Sequence, residues 1–228
     1  MKKMNRSVLL VFIGLITVAP TLFLFGQKDF SGVIVYNITY PDNKFDAQTM
    51  SMMPKTATLT IKGMQSRTEM SMGMGGSTVS IFNGEKMEGV TLMDIMGQKF
   101  AIATTEADIE KEMDKMPDFV VETTGETKEI AGYLCTKAII KVNDNGENGL
   151  HEAYFTDELG SGYINRNNPI FRDIKGVMLE YSFDQQGMKM LFSAVSVENK
   201  KISDKSFEVP EGYKNVSHDE LQNMFGGY

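Results

Sequence analysis

Between Thr56 and Gly84 the chain reads TATLTIK-GMQ-SRTEMSMGM-GG-STVSIF-NG, and this stretch decides the fold class. Thr58, Thr60 and Lys62 alternate with Ala57, Leu59 and Ile61, the two-residue period of a strand with one wet and one buried face. Gly63 punctuates it, a second strand is expected over 66–74, Gly75-Gly76 turns the chain, and a third strand covers 77–82. Asn83-Gly84 then predicts a tight hairpin, because both residues tolerate the left-handed backbone that a two-residue turn demands.

The same rhythm extends outward in both directions. Upstream, the β-branched and aromatic run from Ser31 to Tyr40 ends at Pro41-Asp42-Asn43, a strand stopped by turn residues. Downstream, strands are expected at 86–94 and 99–104 around Met96-Gly97, and again at 119–122, 134–142, 150–155, 176–184 and 188–198. Short strands at such spacing build a sheet that curls or closes. Thr105 caps a short polar helix that runs to Met116 and is ended by Pro117, and Ser217 caps another that runs to Phe225. Residues 157–174 read as a loop with one helical turn. The chain is therefore expected to be mostly β: one domain over 27–228, a curved antiparallel sheet forming a half-barrel, with one or two short covering helices.

Lys2, Lys3 and Arg6 precede an apolar run from Val8 to Gly26, the order of charge and grease in a secretory signal. Export to the periplasm or cell envelope is expected, with cleavage after Gly26. The nineteen apolar residues also come close to the roughly 20 that span a bilayer, so an uncleaved anchor stays open. Cys135 is the single cysteine, which leaves no thiol at the junction for lipid attachment and no internal disulfide. After processing, 20 basic residues face 30 acidic ones. That sign repels phosphate backbones, and no basic cluster offsets it, so nucleic acid is not an expected partner.

Twelve of the 18 methionines fall between Met50 and Met116, concentrated at Met50, Met52 and Met53 and at Met70, Met72 and Met74. On one strand the last three would form a row on a single face. Three readings compete: flexible core filler, the lining of an apolar groove, or a soft thioether site for Cu(I). Tyr36, Phe82 and Phe100 are further candidates for a groove lining.

His151 and His218 are the only imidazoles, and no Gly-x-Ser-x-Gly elbow, His-Glu-x-x-His, Cys-x-x-Cys or phosphate loop occurs. A non-enzymatic protein without a cofactor is expected, with Cys135 buried and inert inside a strand.

The run Gly-Glu-Thr-Lys-Glu-Ile-Ala-Gly-Tyr-Leu-Cys-Thr-Lys-Ala from Gly125 to Ala138 resembles the signature of an exported bacterial family, domain of unknown function 4412. Glu152-Ala-Tyr-Phe-Thr156, Gly176-Val-Met-Leu-Glu180, Phe207-Glu-Val-Pro-Glu-Gly-Tyr213, Phe30–Tyr36 and Gly63-Met-Gln-Ser-Arg67 match it in kind. The resemblance implies a fold similar to the LolA/LolB-like lipoprotein carriers, in which a curved sheet with a helical cover makes an apolar cavity. On that reading an apolar ligand, a lipid or an acylated protein, lies against Met70, Met72 and Met74. The alternatives are an envelope interaction module without a small ligand and a Cu(I)-binding protein.

Overall fold

The computed structural model describes residues 30–225 apart from 42–43, 145–146, 161 and 186–187. The expected signal segment and its junction lie outside the described residues. Two antiparallel meanders make up the molecule. The first is β1 (Ser31–Thr39), β2 (Thr56–Lys62), β3 (Gln65–Ser71), β4 (Ser77–Asn83), β5 (Glu88–Ile95) and β6 (Gln98–Thr104). The second is β7 (Asp118–Ile130), β8 (Tyr133–Asp144), β9 (Glu147–Thr156), β10 (Val177–Gln185) and β11 (Met188–Asn199). β11 pairs with β1, so the first strand sits in the interior of one twelve-stranded sheet ordered β12-β6-β5-β4-β3-β2-β1-β11-β10-β9-β8-β7. The two-residue β12 (Lys214–Asn215) departs from the expected antiparallel pattern by lying parallel to β6.

Connectivity forces the curl. Ten inter-strand steps separate β6 from β7, roughly 48 Å if the sheet were flat at about 4.8 Å a step. The link between them holds α2 (Glu106–Met113) and a few extended residues, a reach of roughly 30 Å at about 1.5 Å per helical and 3.3 Å per extended residue. The sheet must therefore bend until its two ends approach. Bulges between Val35 and Tyr36, Met178 and Glu180, and Thr123 and Thr127 supply local bends.

Turn chemistry explains the register. Met96 (φ 53°) and Gly97 (φ 82°), and likewise Ala131 (φ 50°) and Gly132 (φ 86°), are two-residue turns with both central residues left-handed. Asn83-Gly84 is a correction to the expected tight hairpin: the loop runs from residue 84 to 87, and Met87 carries the positive φ. The Asn83 Oδ1 accepts from the backbone N–H groups of Glu85 (3.0 Å) and Lys86 (3.1 Å), so the side chain ends the strand and opens a longer turn.

Three helices are described. α2 has the expected cap at Thr105, completed by Asp108 as a capping box, and α3 (His218–Phe225) starts with the Glu220 N–H donating to Ser217 Oγ at 3.1 Å. α1 (Ala47–Met52), capped by Asp46, was not expected, because it is short and buries none of its residues. Among the described residues no helix is long and apolar enough to cross a membrane.

Directly opposed residues of an antiparallel pair share a face, so the register assigns both faces. One carries Ile34, Tyr36 and Ile38 of β1, Leu59 of β2, Phe192 of β11, Tyr181 of β10, and Ala138 and Ile140 of β8, members or neighbours of two buried clusters. The other face has its own small cluster, Val79, Ile81, Leu92 and Ala101, covered by Phe207 and Tyr213 of the C-terminal segment. On the second meander that same face carries ion pairs, with Lys137 bridging Glu126 (3.4 Å) and Glu152 (3.0 Å) and Lys128 pairing with Glu180 (2.7 Å).

Candidate functional site

The first of these faces is the concave one, and a strap from Asp157 to Gly176 crosses it. At one end the strap abuts the β4–β5 turn, where Arg166 Nη1 donates to the Gly84 carbonyl at 3.2 Å and a Cβ on Gly84 would come within 2.5 Å of the Tyr163 carbonyl oxygen. At the other end Phe171, fully buried, packs with Ala138, Ile140 and Ala153 of β8 and β9. The few residues from Tyr163 to Phe171 bridge strands seven positions apart only because the sheet wraps around them.

The strap is held from beneath by Asn165, 5% exposed, whose Nδ2 donates to the carbonyls of Ile174 (3.0 Å) and Gly176 (2.9 Å). It divides the concave face. Over β8–β10 the space is filled: Phe171 meets Tyr181 edge-on at 5.6 Å, Tyr181 stacks on Phe192 at 4.8 Å, and Tyr36 abuts both rings. The Tyr36 hydroxyl donates to the Met178 carbonyl at 2.8 Å, and burial pushes its pKa up.

Over β2–β6 the face is a floor of cross-strand rows. One row runs Tyr36, Ala57, Met70, Thr78, Met93, Phe100; the next runs Ile34, Leu59, Thr68, Ser80, Thr91, Ile102. Leu59, Met70, Met93 and Ile102 are half-buried. Between floor and strap lies a recess of about 210 Å³ lined by Tyr36, Leu59, Thr68, Ser80, Asn165 and Met178 among others. Ligand pockets usually enclose upwards of about 300 Å³. A wider recess of about 450 Å³ opens on the far side of the strap, where Asp173, Ile174 and Lys175 face Phe119, Val121 and Phe155.

The expected site residues are only partly brought together. Tyr36, Met70, Phe82 and Phe100 do share the concave face, although Tyr36 (2% exposed), Phe82 (3%) and Phe100 (4%) are core residues beneath it. The row Met70, Met72, Met74 is a correction. β3 ends at Ser71, Met72 precedes a 3-10 turn over Gly73–Gly75 that includes Met74, and Met72 faces solvent at 42% exposure. Alternation cannot be carried through a glycine where the chain leaves the sheet. Met93 was missed, yet the Met96-Gly97 hairpin signals it, since a two-residue turn there sets Met93 opposite Phe100.

Cys135 is fully buried in the main core, and burial, with the nearby carboxylates of Glu158 and Glu180 adding to it, raises its pKa to about 11. The native thiol is expected to resist a thiol reagent at about pH 8 and to react once denatured. Labelling of the native protein at the denatured rate would refute this. Because the unfolded thiol has the lower pKa, native stability should fall as pH climbs from about 9 towards about 11. His151 stands edge-on to Phe171 at 6.5 Å, and its burial lowers its pKa, so the ring is neutral at neutral pH. Among the described residues no three His, Cys, Asp or Glu side chains gather as a metal site.

Residues 30–164, more than half of the chain, match the model of the domain of unknown function DUF4412. The chain belongs to the DUF4412 family. The DUF4412 match contains every strand of the open floor and stops within the strap, leaving β10, β11 and the C-terminal segment beyond it. No curated protein matches the chain. Among solved structures it is similar to a beta-barrel-like protein of the domain of unknown function DUF1849 from Brucella abortus, at 10% identity. The alignment covers 76% of this chain and 99% of that one, and its TM-score of 0.29 is too low to carry an argument.

Proposed function

We propose that the protein is a non-enzymatic binding protein of the cell envelope that holds an apolar ligand, a lipid or an acylated protein, along the open half of its concave face. One observation carries this: Leu59, Met70, Met93 and Ile102 are half-buried apolar side chains on the concave side of β2–β6, beyond the part of the face that Phe171, Tyr181 and Phe192 fill. Half-covered apolar surface on a concave wall is stabilised by whatever removes it from water, at about 25 cal/mol per Å². The hydroxyls of Thr68, Thr78, Ser80 and Thr91 interleave with these side chains and suit a chain that ends in a polar group. The apolar run from Val8 to Gly26 supports delivery to the envelope, where such ligands occur.

The test is uptake of a fluorescent acyl probe by the purified protein. Wild type is expected to take up the probe, and Met93→Glu to weaken uptake at least about tenfold, since the new carboxylate must be desolvated. Val195→Glu, at an exposed position on β11, should leave uptake unchanged. If wild type takes up neither the probe nor extracted envelope lipid, the ligand reading fails and an interaction module without a small ligand takes its place.

A further inference from the structure

Two methionine-rich segments that are separate in sequence meet at one rim of the sheet. α1 carries Met50 and Met52 and is followed at once by Met53; β3 carries Met70 near its end, and the 3-10 turn beyond it is preceded by Met72. Gly73 makes the meeting possible. A Cβ there would run into the Ser51 carbonyl oxygen and stand 2.8 Å from the Met52 Cα, so the two backbones touch with no side chain between them. Met52 is thus brought beside the residue that immediately follows Met72.

Their burial separates two kinds of methionine. Met50, Met53 and Met70 pack against the main core and need no other account than apolar filling. Met52 and Met72 are 38% and 42% exposed on the solvent side of the same contact. Filling explains neither, and two exposed flexible thioethers anchored on touching backbones are free to turn to a common point.

We propose that this rim is a binding site for a soft monovalent cation, Cu(I), with Met52 and Met72 as ligands and Met50 or Met53 completing the set from the core side. Thioethers are soft neutral donors that select Cu(I) over Zn²⁺, Mg²⁺ or Ca²⁺. They carry no proton to lose, so affinity is flat with pH, unlike that of a thiolate or imidazole site. The site is separate from the concave floor: Met93 and Leu59 take no part in it.

The experiment titrates the purified protein with Ag(I), a redox-inert stand-in for Cu(I), and anaerobically with Cu(I) against a coloured competing chelator. One equivalent is expected to bind, with the same affinity at about pH 5.5 and about pH 7.5. The ε-methyl resonances of Met52 and Met72 should shift while that of Met93 stays in place. Met52→Leu and Met72→Leu should each weaken binding by about tenfold or more, about 1.4 kcal/mol apiece, with the thermal midpoint unchanged. Three results would overturn the site: no uptake by wild type, uptake that falls steeply on acidification, or uptake that survives the double substitution.

Discussion

Gly162→Ala is expected to destabilise the protein by about 3 kcal/mol or more, seen as a lower urea midpoint at unchanged slope. Gly162 has φ 82°, and a Cβ there would press on the Ile174 carbonyl oxygen and stand 2.7 Å from the Gly176 nitrogen. Those two residues supply the carbonyls that Asn165 binds, so a displaced backbone also breaks the hydrogen bonds that hold the strap. Each carbonyl left buried and unpaired adds about 1–3 kcal/mol. A midpoint shift equivalent to less than about 1 kcal/mol would mean that the strap relaxes around the new methyl and is not rigidly seated.

Phe171→Ala should cost about 3–5 kcal/mol, the range for removing a wholly buried aromatic ring from a packed interior. Its ring contacts Tyr181 and His151, and its cluster joins β8, β9 and β10 to the strap. Equilibrium unfolding of the variant gives the number directly. A loss under about 1.5 kcal/mol would show that the strap folds apart from the sheet and that the filled half of the concave face is only loosely packed. The two substitutions act on one element, so their double variant should lose less than the sum of the single losses.

Much of this architecture is legible in the sequence where local chemistry decides it. Alternation over 56–62, the turn at Met96-Gly97 and the Thr105 cap each specify their own element. The family resemblance, carried by the run from Gly125 to Ala138, agrees with the DUF4412 match over 30–164. What the sequence conceals is long-range. Nothing local places β1 beside β11, or lays a polar loop containing Asn165, Asn167 and Asn168 across the inside of the sheet. Such a loop reads as solvent-exposed, because its buried polar groups find partners only in the folded molecule.

The candidate site was legible to the extent that register is. Tyr36, Phe82 and Phe100 fall on the concave face because each lies on a strand whose alternation is unbroken. Met72 does not, because Gly73 takes the chain off the sheet to make backbone contact with α1. α1 itself gave little signal: six polar and apolar residues with no apolar stripe, nucleated by the Asp46 cap. The proximity of the two methionine clusters follows from that contact.

The pairing of β1 with β11 also orders the events of folding. Ser31 Oγ donates to the Lys200 carbonyl across 169 residues of chain. The hairpins within each meander form from neighbouring residues in microseconds, but this seam waits for nearly the whole chain and places the protein among the slow folders. A chain delivered N-terminus first exposes one side of β1, with the backbone groups of Val33 and Val35 unpaired, until the last long strand arrives. During that interval the strand is a template for any other extended chain, and a holding chaperone that covers it would protect the nascent protein from aggregation.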